Sequence, residues 1–138
     1  MIAVLDTSAA LRIALNPGQA EALSRLVSEA DTTLAPQLMV AEATNALWKY
    51  VRAGVLVPAE AHRGLEACLE LVDQLVELEP LAAEALDLAL VAQRPVYDMY
   101  FVVLARRHSA TLLTADDSLG ALARSMGIGT ADPGSAAG

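Results

Sequence analysis

Residues 1–11 read MIAVLDTSAAL, and this stretch decides the fold. Residues 2–5 are a short apolar run of the kind that forms a buried strand. Asp6 ends the run, and TSAALRIAL then continues as a helical turn or two that stops at NPG. Strands that alternate with helices pair in parallel and build layered α/β folds. A carboxylate leaves water at a heavy energetic cost, so an aspartate placed at the end of a buried strand requires either a capping partner or a function.

The pattern repeats along the chain. QAEALSRLVSEA has helical spacing, with Ala22, Leu23, Leu26 and Val27 on one side. TTLAP is a second short strand closed by Pro36, and QLMVAEATNALWKYVRAG is a strong helix with Gly54 placed as a C-terminal cap. VPAEAHRGLEACLELVDQL reads as helix after Pro58, followed by a short strand around VELE. Pro80 opens the helix LAAEALDLALVAQ, and VYDMYFVVLARRHSA is helical in turn. TLLTA is a third apolar strand, DDSLGALARSMG a helix and IGT a candidate last strand. The expected organisation is one domain over residues 1–130, with a disordered tail over 131–138 (ADPGSAAG).

Composition narrows the function. The chain has 138 residues, enough for one domain with a real core. No apolar run approaches the roughly 18 residues of a membrane helix, because Glu84 and Asp87 break the best candidate. The N-terminus lacks the positive leader of a signal peptide. A single cysteine, Cys68, excludes an internal disulfide and argues against a cysteine-based zinc site. A soluble, cytoplasmic protein is therefore expected. The net charge of −8 is a poor footprint for holding nucleic acid by charge alone; a basic protein partner or a bound cation suits it better.

Four acids stand at comparable places in this reading. Asp6 and Asp116 follow strands, Asp98 lies near the start of its helix, and Glu42 lies in the first turns of another. Ligand crevices in open parallel sheets lie outside the carboxyl ends of the strands. Each acid also has a plainer explanation. Asp6, Asp116 and Asp117 suit helix N-caps. Glu42 heads a polar stripe with Asn45, Lys49 and Arg52 that suits either a solvated face or a phosphodiester backbone. Asp98 shares its helix face with Phe101, Val102 and Ala105, where a cap explains it less well. Two carboxylates about 4 Å apart repel by roughly 4 kcal/mol, so converging acids imply a cation or a shared proton. No histidine is close in sequence, and His62 and His108 read as surface or packing residues. Oxygen-only donors favour Mg²⁺ or Mn²⁺ over Zn²⁺. Ser8 and Thr114 are placed to orient ligating carboxylates, or to serve as ordinary turn residues. Trp48 and Tyr50 invite a base-stacking role, but Tyr50 falls on the apolar face with Met39, Ala43 and Ala46, so core or dimer packing is the expectation for both.

VLDTSAAL, APQLMVAEATNAL and VYDMYFVVLARRHSATLLTADDSL, with the overall length, resemble PIN-domain ribonucleases, and more narrowly VapC-type toxins of bacterial toxin–antitoxin modules. The resemblance runs from residue 1 to about residue 128. It implies an α/β/α sandwich with a central parallel sheet of four to five short strands, and Mg²⁺- or Mn²⁺-dependent endonucleolytic cleavage of RNA by an acidic quartet. By motif the quartet is Asp6, Glu42, Asp98 and Asp116. Phe101 stands where the family often has tyrosine, and Asp117 where a basic or polar residue is common, so Asp117 is kept as an auxiliary with Ser8, Asn45 and Thr114. The resemblance further implies a homodimer and an inhibitory VapB-like antitoxin, with no direct DNA binding by this chain.

On this reading Asp6, Asp98 and Asp116 hold one or two metal ions, and Glu42 orients the nucleophile or reaches a second metal, directly or through water. Lys49, Arg52 and, more weakly, Arg12 are candidates for RNA-backbone contacts, and a narrow substrate such as a structured RNA loop is expected. Two rivals remain. A haloacid-dehalogenase-like phosphatase needs a second aspartate two residues after the first, where this chain has Ser8. A catalytically weak PIN-like module that binds antitoxin or RNA without cutting would be marked by loss of an acid, and all four acids are present.

Overall fold

The computed structural model describes residues 1–131. Four strands, β1 (Ile2–Leu5), β2 (Thr32–Pro36), β3 (Gln74–Val76) and β4 (Thr111–Leu113), form one sheet in the order β3-β2-β1-β4. Every pairing is parallel: Val4 lies opposite Leu34 and Leu112, and Ala35 opposite Leu75. Seven helices connect and cover it: α1 (Thr7–Leu15), α2 (Glu21–Glu29), α3 (Leu38–Arg52), α4 (Pro58–Glu70), α5 (Ala82–Ala92), α6 (Val96–Arg107) and α7 (Asp117–Ser125).

The strand order explains the layers. The chain moves outward from β1 to β2 to β3, then returns across both to β4. Right-handed crossovers place the helices of the outward path on one face and those of the return path on the other. Accordingly α1, α3 and α4 pack on one another, whereas α6 lies against β1, β2 and β4 with α5 behind it. The result is the expected α/β/α sandwich. Its topological switch point lies between β1 and β4, where successive connections leave in opposite directions.

The core is aliphatic around one phenylalanine. Val4, Leu5, Met99, Phe101, Leu104, Leu112, Leu113 and Leu119 are fully buried. Burial of side chains of this kind is worth about 1.5–3 kcal/mol each. Apolar spacing on α6 supplies six buried residues, Met99 to Ala105 without Tyr100, which makes it the central helix of the return path. Gly54 ends α3 as expected: it sits at φ +77°, Gly54 N–H donates to the Val51 carbonyl and Val55 N–H to the Tyr50 carbonyl. That pair of bonds is a Schellman cap, whose left-handed residue favours glycine.

Several element boundaries differ from the sequence expectation; β4 ends at Leu113, short of Ala115, and α6 at Arg107, short of Ala110. The helix after Pro58 stops at Glu70, and the strand expected around VELE lies earlier, at Gln74–Val76. Asp73 decides this: its N–H donates to the Thr33 carbonyl and its carboxylate accepts from Thr33 N–H, both at 2.8 Å, which docks the edge strand two residues early. Because β3 is largely exposed, its apolar pattern is weak. Pro80 lies in a 3₁₀ turn, Glu79–Leu81, and α5 follows from Ala82. IGT contributes one bridge, Leu112 to Thr130, instead of a fifth strand. The tail expected over 131–138 lies outside the described residues apart from Ala131. Trp48 and Tyr50 are not in this chain's core: they are 57% and 38% exposed. Among the described residues no single helix is long and apolar enough to cross a membrane.

Candidate active site at the switch point

Asp6 continues β1 by one residue, its N–H donating to the Leu113 carbonyl of β4 at 3.0 Å. Its side chain then turns down to cap α1, Oδ1 accepting from Ala9 N–H at 2.9 Å. The capping role is therefore real, but it accounts for only part of the environment. Ser8 Oγ donates to the same Oδ1 at 2.7 Å, and Thr114 Oγ1 donates to Oδ2. Each hydroxyl has one proton to give, and here both protons point at Asp6. Both oxygens also accept a backbone N–H, Ser8 Oγ from Ala115 at 3.1 Å and Thr114 Oγ1 from Asp116 at 3.0 Å. These relays join the ends of β1 and β4 across the switch point.

Asp6 is only 4% exposed. Burial pushes its carboxyl up from the ordinary 3.8 to about 6, overriding the three donors that favour the ion, and the charge of Asp98 pushes the same way. Glu42, half-buried on the first turns of α3, accepts from Thr7 Oγ1 at 2.7 Å. Its carboxyl is also raised, by burial first and by Asp98 after that, against the Thr7 hydrogen bond. The charge of Asp98 thus bears on both Asp6 and Glu42.

Asp98 itself is not the unpartnered inward carboxylate that the helical wheel suggested. Its side chain is 37% exposed and pairs with Arg94 Nη2 at 3.2 Å. Arg94 Nη1 also reaches Ser118 Oγ at 2.9 Å, so one guanidinium bridges the starts of α6 and α7. Sequence reasoning missed Arg94. The signal was its i, i+4 spacing to Asp98, masked by Pro95 standing between them.

Asp116 is exposed and caps α7, Oδ1 accepting from Ser118 N–H at 2.9 Å and Leu119 N–H at 3.2 Å. It connects to Asp6 through its own backbone and Thr114, and its carboxylate is turned to the helix end. Asp117 is exposed in the first turn of α7. Asn45, Lys49 and Arg52 lie exposed along α3, with the Arg52 guanidinium 5.7 Å from the Trp48 ring centre. Arg12 is exposed on α1. The donor chemistry suits a hard divalent cation: oxygen only, with two acids destabilised as ions by burial and by a third. Among the described residues, however, no three acidic, histidine or cysteine side chains close around one point. Asp98 is drawn to Arg94 and Asp116 to α7, so rotation of these two side chains is what a shared ion would require.

The relay makes Thr114 a test of how Asp6 is held. Thr114→Val keeps the shape but leaves Asp6 Oδ2 and Asp116 N–H without their partner. Stability is expected to fall by about 1–3 kcal/mol, and Asp6 to hold its proton to higher pH. Thermal unfolding together with the pH dependence of stability measures both, and an unchanged pH dependence would show that the hydroxyl does not stabilise the ion.

Fold and site together define a class: a parallel α/β domain with acidic side chains at its topological switch point. The chain belongs to the PIN domain family, which its residues 3–125 match. It is 33% identical over 118 residues to Ribonuclease VapC3 of Pyrobaculum aerophilum, covering 84% of this chain and 90% of that protein. The crystal structure of PAE2754 from Pyrobaculum aerophilum superposes with a TM-score of 0.69 at 28% identity, over 88% of this chain and 86% of that one. VapBC-1 from nontypeable Haemophilus influenzae shares the fold, with a TM-score of 0.66 at 18% identity over 96% and 98% of the two chains. The chain is thus a homologue of a VapC ribonuclease.

Proposed function

We propose that this chain is the toxin of a type II toxin–antitoxin module and hydrolyses RNA phosphodiester bonds as an Mg²⁺- or Mn²⁺-dependent endoribonuclease. The observation that supports the reading is the setting of Asp6, buried yet braced by three donors, with the charge of Asp98 bearing on both Asp6 and Glu42. A fold gains nothing from crowding carboxylates in this way, since each raises the energy of the others as ions. A divalent cation reverses the sign of that interaction.

Asp6, Asp98 and, after turning from its cap, Asp116 would hold the metal. When bound, the metal would neutralise phosphate charge and make water acidic enough to supply a nucleophile at neutral pH. Glu42, tethered by Thr7, would orient the attacking water and accept its proton, a role its raised pKa favours. Ser8 and Thr114 would keep Asp6 aimed, while Asn45, Lys49 and Arg52 along α3 would meet the RNA backbone. A VapB-like antitoxin and a second copy of the chain are the proposed protein partners. A reducing, cytoplasmic setting suits the lone Cys68, whose thiol is buried and pushed up to about 11 and so is inert.

The test is direct. Purified protein with RNA and Mg²⁺ is expected to cut, to stop on chelation by EDTA and to resume with excess Mg²⁺ or Mn²⁺. Cleavage that persists in EDTA would remove the metal from the reading, and binding without cleavage in Mg²⁺ and Mn²⁺ would leave a non-catalytic module.

A further inference from the structure

A groove of about 390 Å³ opens beside Asp116, between α1 and the C-terminal half of α3. Leu11 and Leu15 form an aliphatic floor, Tyr50 stands as one wall, and Arg12 and Asn16 are on the rim. Its inner end is made by Ser8 and Asp116, residues that brace or border Asp6. The volume falls in the range of about 300–1,000 Å³ typical of small-ligand sites.

Tyr50 needs an explanation. It shares a helix face with Met39 and Ala43, which are fully buried, yet it remains 38% exposed. Arg12 takes part in none of the ion pairs among the described residues. An exposed aromatic ring, an aliphatic floor and a free guanidinium are what proteins use to hold single-stranded nucleic acid, because every base offers a face to stack. With a net charge of −8, any affinity for RNA has to come from local contacts of this kind.

We infer that this groove is a nucleotide subsite, taking one unpaired base next to the cleaved phosphodiester, with the base stacked on Tyr50 and Arg12 on a neighbouring phosphate. The inference rests on the ribonuclease reading and names where its substrate lies. A polypeptide segment could use the same aliphatic floor, but the groove ends at Ser8, which bonds Asp6, and at Asp116, so a strand lying in it would bring a phosphate to two residues of the proposed metal site.

Binding of a fluorescein-labelled single-stranded decaribonucleotide of random sequence, followed by anisotropy in EDTA, tests this without cleavage. Tyr50→Ala is expected to weaken binding about ten-fold, within the range for losing one base–aromatic stack. Tyr50→Phe keeps the ring and should bind within about two-fold of the unaltered protein. Arg12→Gln should weaken binding several-fold and lower the salt dependence by about one phosphate contact. A duplex of the same length should bind more weakly, because its bases are already stacked. Thermal melting within a few degrees of the unaltered protein verifies that the variants fold. Unchanged affinity in Tyr50→Ala, equal affinity for duplex, or loss of antitoxin binding with RNA binding intact would each overturn the subsite. Because the readout is binding in EDTA, absence of metal-dependent cleavage in the unaltered protein would sink the ribonuclease reading separately.

Discussion

Asp98→Asn is expected to lower Mg²⁺-dependent RNA cleavage by about a hundred- to a thousand-fold while leaving the fold intact. Loss of one preorganised electrostatic contact to a reacting group costs about 10²–10³ in rate, and Asp98 is the acid whose charge reaches both Asp6 and Glu42. The structural cost is small because, among the described residues, the only ion pair it makes is a part-exposed i, i+4 contact with Arg94, worth about 0.3–0.5 kcal/mol at such positions. Single-turnover cleavage and a thermal melt on one preparation separate the two effects. Cleavage at the unaltered rate would strip Asp98 of its catalytic role, whereas parallel loss of cleavage and melting temperature would make its role structural.

The second large effect is a dependence of stability on pH that a divalent cation should cancel. Asp6 has an ordinary carboxyl pKa of 3.8 when unfolded and about 6 when folded. A raised acid binds its proton more tightly in the folded state, so its contribution to stability is fully present below pH 3.8 and is lost as pH rises through about 6. At 1.36 kcal/mol per unit the loss is about 3 kcal/mol, or roughly 10 °C in melting temperature for a domain of this size. Glu42, half-buried, acts in the same direction. Asp31 and Glu84 act oppositely, because their cationic partners lower their carboxyls and their contribution is lost as pH falls. Asp31 is exposed and Glu84 partly so, and ion pairs in such positions contribute little. Metal-free protein is therefore expected to melt at progressively lower temperature from pH 4 to pH 7, Asp6→Asn to flatten the trend, and Mg²⁺ at pH 7.5 to restore much of the loss. A flat profile in the unaltered protein would mean that Asp6 ionises without penalty.

Local sequence carried much of the fold. MIAVLD contains a complete strand and its terminator, TTLAP is bounded as cleanly, and TLLTA holds a strand that ends two residues early, at Leu113, because strands buried on both faces read as short apolar runs. The edge strand Gln74–Val76 was placed two residues late because an edge has water on one side and so little apolar signal; its register depends on Asp73 bonding Thr33 from another part of the chain. The same division runs through the site. Asp6, Glu42, Asp98 and Asp116 stand out in sequence by residue type and position. Arg94 does not, because its significance comes from reaching two helix starts at once. Tyr50 was expected in core or dimer packing, and it lies outside this chain's core because a helical wheel reports only which residues share a face and not where the neighbouring layer ends.

By itself the sequence determined the alternation of strand and helix, hence parallel pairing, and the placing of four acids at the carboxyl edge of the sheet. Both follow from short-range causes: apolar periodicity and the few residue types that end a strand or begin a helix. Only the tertiary structure decided that β4 returns to lie beside β1, so that Thr114 clamps an aspartate 108 positions away. It alone decided that Asp6 stays braced while Asp98 and Asp116 turn to Arg94 and to α7, and that Tyr50 is left facing a groove. Burial and Coulomb coupling depend on distance in space, and a one-dimensional pattern holds no record of that until the chain has closed on itself.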